Sequence, residues 1–151
     1  MTETSPTSRT RPAEGIDPRG PRAGAAVTSV VLAATLLTGS TWLLAVQVVL
    51  FALGSLLGTS RAPLGLLYRS LVRPRLGPPA ELEDPAPPRF AQTVGLLVTG
   101  IGLAAAIFGV PAAVEVSAGL ALVAAFLNAA FGFCIGCELY LLLARLRPVA
   151  R

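Results

Sequence analysis

The sequence contains no histidine, and because all 12 of its basic residues are arginine it contains no lysine either. The lack of histidine removes the usual general base near neutral pH and the imidazole metal ligand. The lack of lysine removes Schiff-base chemistry and the lysine of a phosphate-binding loop. The sequence also contains no dinucleotide fingerprint and no internal repeat. We therefore expect neither a soluble enzyme nor a bound cofactor.

Charged residues of both signs are scarce. They make up 13% of the 151 residues, whereas 54% are hydrophobic, and ordinary soluble domains contain about 25% charged residues. A soluble domain of this length has too few buried positions to hide so much apolar surface. The composition predicts an all-α integral membrane protein in a lipid bilayer. Arginines that flank membrane spans explain the net charge of +4, so we expect no nucleic-acid partner.

The first long apolar stretch must fold back on itself. Residues 23–57 carry no charge over 35 positions, roughly 52 Å of helix against a hydrocarbon core of ~30 Å. The cluster Thr38-Gly39-Ser40-Thr41 can end one helix and cap the next, which places Trp42 at an interface. With two later stretches, the predicted spans are about 23–38, 41–58, 90–108 and 114–143.

The fourth predicted span is too long for one straight crossing. Its roughly 30 residues exceed the bilayer thickness, and paired glycines are recognised kink sites. We therefore predict an interruption near Gly132 to Gly136. The spacings Gly54-x-x-x-Gly58 and Gly132-x-x-x-Gly136 indicate close helix packing, with a homo-oligomer as the alternative.

The distribution of arginine predicts the orientation. Arginines occur in the segments 1–22, 61–89 and 145–151, whereas the turns at 38–41 and 109–111 contain none. Basic residues near span ends stay in the cytoplasm. We therefore expect a bacterial inner-membrane protein with four spans in residues 23–145, arranged as two hairpins, and with both termini cytoplasmic.

The regions outside the spans are polar. Residues 1–22 are expected to form a flexible tail rather than a secretory signal, and residues 146–151 a short cytoplasmic end. Between spans two and three, one helical face carries Leu64, Leu67, Tyr68, Leu71 and Val72, and another carries Arg69 and Arg73. This pattern predicts a short interfacial helix. A basic juxtamembrane loop is the alternative, because Pro63, Gly65 and Pro74 limit helix length.

Cys134 and Cys137 form the candidate functional pair. They lie one helical turn apart near the same face, a spacing compatible with a disulfide. Such a pair can cycle between dithiol and disulfide, pass on a persulfide sulfur, or supply half of a four-thiolate metal site shared with a second copy. One pair alone is insufficient for a structural zinc site. The alternative role is packing, since cysteine behaves as a small apolar residue.

Neighbouring polar residues support a functional role. Counted back from Arg145, Cys137 lies about 12 Å and Cys134 about 16 Å along a continuous helix, in the cytoplasmic leaflet where thiols are kept reduced. Glu138 could accept a thiol proton, or it could reach to the interface. Its charge disfavours a thiolate unless Arg69 or Arg73 neutralises it. The supporting residues are Asn128, Gly132, Gly136 and Tyr140.

The chain resembles a family of small bacterial membrane proteins called the domain of unknown function 4395 family. The resemblance covers Ile16 to about Leu143, and it rests on IDPRGPR, LVRPRLGPPAELEDPAPPRFAQ and FLNAAFGFCIGCELY. It implies a multi-spanning protein whose genes are often found near thioredoxin-like and sulfurtransferase genes.

Three functions are compatible with these observations. The first is a membrane thiol-disulfide or sulfur-relay protein that uses Cys134 and Cys137 and has a thioredoxin-like or sulfurtransferase partner. The second is a non-catalytic membrane subunit that docks such a partner through its arginine-rich segments. The third is a small carrier for a sulfur compound.

Overall fold

A computed structural model describes residues 15–146, and within them the chain is helical. The helices are α1 (Arg19–Thr38), α2 (Thr41–Leu57), α3 (Pro63–Leu67), α4 (Ala86–Ile107), α5 (Ala113–Phe131) and α6 (Ile135–Leu146). After α3 the chain continues as a π-helical turn (Tyr68–Val72) and a 3-10 turn (Arg73–Arg75). The extended pairing in residues 15–146 is a single bridge between Ile16 and Glu83. The predicted all-α class is confirmed.

Three of these helices are long and apolar enough to cross a membrane. They are α1, α4 and α5, with 20, 22 and 19 residues, whereas α2, which is also apolar, has 17. The outer surface of the bundle carries large apolar side chains, and Leu37, Trp42 and Phe108 at the helix ends are 84–88% exposed. Such extensive apolar surface fits lipid contact rather than water. Length and composition thus indicate a membrane protein with three candidate spans.

The break between α1 and α2 has the predicted form. Gly39 adopts a left-handed conformation, with φ of 61°, at the end of α1. The Ser40 hydroxyl then accepts a hydrogen bond from the Leu43 amide over 3.3 Å and caps α2. A glycine stop followed by a serine cap allows the chain to reverse with few unsatisfied backbone groups.

The long fourth apolar stretch is interrupted, as predicted. α5 ends at Phe131, and Gly132 follows with φ of 69°. The Gly132 amide donates to the Asn128 carbonyl over 3.0 Å, and the Phe133 amide donates to the Leu127 carbonyl over 3.2 Å. These two bonds satisfy the last carbonyls of the helix. The stretch predicted as one span is therefore two helices.

The end of the predicted tail is part of the folded bundle. α1 begins at Arg19, four residues before the predicted span start, and the Asp17 carboxylate accepts a hydrogen bond from the Arg19 amide over 3.0 Å. Ile16 and Glu83 exchange backbone hydrogen bonds of 2.9 and 3.0 Å. In the structure these bonds tie residues 15–22, which were expected to belong to a flexible tail, to the bundle. The predictions for residues 1–14 and 147–151 lie outside the described residues.

Helix packing brings α1 against α5, α2 against α4, and α4 against both α5 and α6. The bundle has a small buried core, which consists of Leu32, Leu44, Val114, Ala118 and Ala121. Buried hydroxyls bond to carbonyls of their own helices, as Thr35 does to Val31 over 2.8 Å and Thr99 to Gly95 over 2.7 Å. Such bonds remove the cost of burying a polar group.

The segment between α2 and α4 packs on the start of α1. The Tyr68 hydroxyl donates to the Asp17 carboxylate over 3.0 Å, and the Tyr68 side chain is 5% exposed. Burial, and then the hydrogen bond to Asp17, raise the pKa of Tyr68 above its ordinary value of 10.0. The Arg89 guanidinium donates to the Ser55 and Leu56 carbonyls over 2.6 and 3.0 Å at the end of α2.

Candidate functional site

The break between α5 and α6 positions the two cysteines. Cys134 is the residue before α6, and Cys137 lies in its first turn. The two are joined as a disulfide, with their Cα atoms 5.2 Å apart, and the Cys137 amide donates to the Cys134 sulfur over 3.2 Å. The predicted proximity is confirmed. A Cys-x-x-Cys pair at the start of a helix is an arrangement in which one sulfur can be stabilised as a thiolate.

The break at Gly132 divides the predicted fourth span before the cysteines. α5 alone has 19 residues, about 28 Å of helix, which is sufficient for one crossing. α6 has 12 residues, about 18 Å, which is too short for another crossing. Cys134 and Cys137 therefore follow α5 rather than lying within it, and their depth in a bilayer stays a prediction.

Gly136 allows α6 to lie closely against α4. A Cβ atom on Gly136 would lie 2.6 Å from both the Cα and the Cβ of Ala91, closer than van der Waals contact permits. Farther along the same contact, the rings of Phe90 and Tyr140 have centroids 5.6 Å apart. Tyr140 therefore has a packing role in fixing α6. Glycine at position 136 sets the distance between the cysteines and α4.

Both cysteines line a cavity of about 660 Å³ between α1, α4, α5 and α6, here called the dithiol cavity. Six of the seven residues predicted for the site line it, namely Asn128, Gly132, Cys134, Gly136, Cys137 and Glu138. Tyr140 is not among the lining residues. The cysteines are half-buried and Glu138 is exposed. The pair is thus partly enclosed by protein while remaining open on one side.

Five polar residues that we did not predict for the site also line this cavity, namely Arg22, Thr28, Glu83, Asp84 and Gln92. Arg22 lies beside Gly132, because a Cβ atom on Gly132 would be 3.5 Å from the Cζ of Arg22. Gln92 is contributed by α4. A signal for both existed in the sequence. Arg22 ends the segment IDPRGPR and Gln92 ends the central segment, and these are two of the three segments on which the family resemblance rests.

The arginines expected beside Glu138 lie elsewhere. Arg69 and Arg73 line a second cavity, because the segment that carries them packs on the start of α1 through Tyr68 and Asp17. α6 packs on α4 instead of this segment. Within residues 15–146 the one salt bridge joins Arg19 and Asp17, so Glu138 forms no salt bridge in this part of the chain. The arginine of the dithiol cavity is Arg22.

Comparison with known proteins gives one match. A family model described as Domain of unknown function (DUF4395) matches residues 16–145. Searches of curated proteins and of solved structures gave no significant match. The matched region includes both cysteines and every helix of the bundle.

Proposed function

We propose that this chain, which belongs to the family Domain of unknown function (DUF4395), is a membrane thiol-disulfide exchange protein that acts through Cys134 and Cys137. The observation that carries the proposal is the disulfide-bonded pair at the start of α6, on the wall of the dithiol cavity. A pair with only a packing role requires neither a cavity nor a position at a helix start. We further propose four spans in a bacterial inner membrane, with α2 as the fourth span and both termini cytoplasmic.

Cys134 is the attacking cysteine in this proposal. Its sulfur accepts the Cys137 amide and lies at the positive end of the α6 dipole, and both features favour a thiolate over a thiol. Arg22, which lies beside Gly132 two residues earlier, adds a positive charge. Glu138 in the first turn of α6 opposes them, as do Glu83 and Asp84, which line the same cavity. Cys137 is the resolving cysteine.

The exchange conserves atoms and electrons. In the reduced protein, the Cys134 thiolate attacks one sulfur of a partner's disulfide, so the partner's S–S bond breaks and its other sulfur leaves as a thiolate. Cys137 then loses its proton and attacks the Cys134 sulfur, which forms the internal disulfide and releases the partner's second thiolate. Two electrons and two protons pass to the partner. In reverse, the disulfide form oxidises a partner dithiol.

The test is to trap the mixed disulfide. Cys137→Ser leaves Cys134 without its resolving cysteine, so we expect a mixed disulfide with a thioredoxin-like or sulfurtransferase protein to accumulate in native membranes. Cys134→Ser should trap at least about tenfold less, since Cys137 lacks the helix-start position. Adducts are identified by non-reducing electrophoresis and mass spectrometry. Equal trapping by both variants would contradict the assigned roles, and no adduct with either would contradict exchange.

The same cysteines report the orientation. With the disulfide reduced, a membrane-impermeant maleimide should label the pair in inverted vesicles and not in intact cells. The double variant Cys134→Ser, Cys137→Ser is the control for background labelling. Labelling in intact cells would place α6 on the outer side and would contradict cytoplasmic termini.

A sulfur-compound carrier is the second candidate, and the size of the dithiol cavity favours it. The cavity volume of about 660 Å³ lies within the range of roughly 300–1,000 Å³ that is common for small-molecule sites. In proteoliposomes a carrier would lose uptake of a small thiol with Cys134→Ser while trapping no protein. A subunit that only docks a partner would keep binding it in both cysteine variants.

A further inference from the structure

A second cavity, here called the arginine cavity, lies at the end of α2 and the start of α1 and has a volume of about 590 Å³. Four arginines line it, namely Arg61, Arg69, Arg73 and Arg89. They come from three places in the chain: the residues before α3, the turns after α3, and the first turn of α4. Folding therefore brings together, around one cavity, positive charges that are spread over almost 30 residues of sequence.

The cavity contains little negative charge, and the carboxylate that carries it already accepts hydrogen bonds. Asp17 is the only carboxylate among the lining residues. One of its oxygens accepts the Tyr68 hydroxyl over 3.0 Å, and the other accepts the Arg19 amide over 3.0 Å. Its salt bridge is with Arg19, which is not a lining residue. Asp17 therefore does not neutralise the cavity's arginines.

The arginines of the cavity differ in how they are held. Arg89 is fixed by the carbonyls of Ser55 and Leu56, whereas the side chains of Arg61, Arg69 and Arg73 are exposed and form no hydrogen bond within residues 15–146. These three guanidinium groups are therefore available to an external anion. Thr59, which also lines the cavity, has a buried hydroxyl without a partner within those residues.

We propose that the arginine cavity binds the phosphate group of an anionic phospholipid. Guanidinium groups match phosphate oxygens in pairs, and basic pockets beside membrane helices are suited to lipid head groups. The neighbouring surface is apolar, since Leu66, Leu67 and Leu71 are about half exposed on the same segment. That surface gives acyl chains a place to lie. Free inorganic phosphate presents the same oxygens to the arginines, but it has no acyl chains that could contact the leucines.

Calorimetric titration of the full chain in neutral detergent tests the site. The probes are short-chain phosphatidylglycerol, short-chain phosphatidylcholine and inorganic phosphate. We expect phosphatidylglycerol to bind more tightly than the other two. The double variant Arg69→Gln, Arg73→Gln should weaken this binding by at least about tenfold, as expected when charge-assisted hydrogen bonds are lost. Thr59→Val should weaken it less, with the fold retained by circular dichroism.

Arg75→Gln is the matched control, because Arg75 belongs to the same short turn as Arg73 but does not line the cavity. It should leave affinity unchanged. Equal weakening by Arg75→Gln would show a diffuse basic surface and would overturn the proposal. Binding of inorganic phosphate as tight as that of phosphatidylglycerol, with the same variant dependence, would keep the site but assign it to free phosphate. Absence of binding by every probe would overturn it.

Discussion

The two cavities lie at the same end of the bundle, are similar in volume and share a wall, yet they differ in charge. Pro21 lines both, and their volumes are about 660 and 590 Å³. The dithiol cavity combines the cysteines with three carboxylates and one arginine, whereas the arginine cavity combines four arginines with one carboxylate. The first turn of α1, through Pro21, therefore lies between the cavity that holds the cysteines and the cavity that holds the four arginines.

The difference arises from the kind of backbone that forms each wall. The dithiol cavity is built largely by regular helices, and small side chains such as Ala121, Ala124 and Ala125 leave space between them. Half of the residues that line the arginine cavity come from the segment between Leu57 and Arg73, which consists of a loop and short helical turns. Regular apolar helices can enclose a pocket but offer few charges, whereas a polar connecting segment can place several charges together.

The largest effect is expected where α6 meets α4. Gly136→Ala should destabilise the fold by about 1–3 kcal/mol, because the new Cβ overlaps Ala91 and forces α6 outward. Alanine has a higher helix propensity than glycine, so a net loss of stability would be due to the contact with Ala91. Gly119→Ala in α5 is the matched control, since a Cβ there has no atom within 4 Å. Thermal unfolding in detergent measures both, and equal behaviour would remove Gly136 as the spacer of the dithiol cavity.

A smaller effect is expected at the wall of the arginine cavity. Tyr68→Phe removes the hydrogen bond to Asp17 and should cost about 1 kcal/mol below pH 10. Because burial raises the pKa of Tyr68 in the fold, the unfolded chain ionises first, and this contribution is lost as pH rises through the raised pKa. The difference in stability between the wild type and Tyr68→Phe should therefore shrink above pH 10.

Tyr140→Phe serves as the comparison for this prediction, since the Tyr140 ring packs on Phe90. It should show no such loss of stability at pH 8. Denaturant unfolding at pH 8, 10 and 11 is the measurement. A difference for Tyr68→Phe that stays constant from pH 8 to 11 would contradict the raised pKa, and no difference at pH 8 would mean that the hydroxyl contributes nothing through its bond to Asp17.

The smallest effect concerns which arginine serves the thiols. Arg22→Gln should slow alkylation of Cys134 by iodoacetamide roughly threefold in the reduced Cys137→Ser background, the size expected for a partly exposed charge pair. Arg69→Gln should leave the rate unchanged, because Arg69 lines the other cavity. Rates at pH 7 measure both effects. A larger effect of Arg69→Gln would restore the assignment based on sequence spacing and would remove the separation of the two cavities.

Local patterns predicted the helices closely. Charge-free stretches indicated the long helices, and Gly39 with Ser40 marked the first break because a glycine stop and a serine cap act on adjacent backbone groups. Gly132 and Gly136 correctly marked the interruption in the last apolar stretch. They have different roles, however: Gly132 ends α5 through its positive φ, and Gly136 admits Ala91. Only contacts with another helix distinguish these roles.

Longer-range assignments were less accurate. The pairing of Glu138 with Arg69 or Arg73 depended on which helix lies beside α6, and that helix is α4. The neighbour of α6 is not a local property of the chain, since it depends on how separated segments fold against each other.

The sequence by itself determined the all-helical class, the apolar character that suits lipid, the helix breaks and the cysteine pair, because each depends on composition or on residues within a few turns. Only the tertiary structure decided that Arg22 and Gln92 line the dithiol cavity and that Arg61, Arg69, Arg73 and Arg89 share another. The bridge between Ile16 and Glu83 and the Tyr68–Asp17 bond join segments more than 50 residues apart. Such pairings depend on the packing of whole helices, which no local pattern encodes.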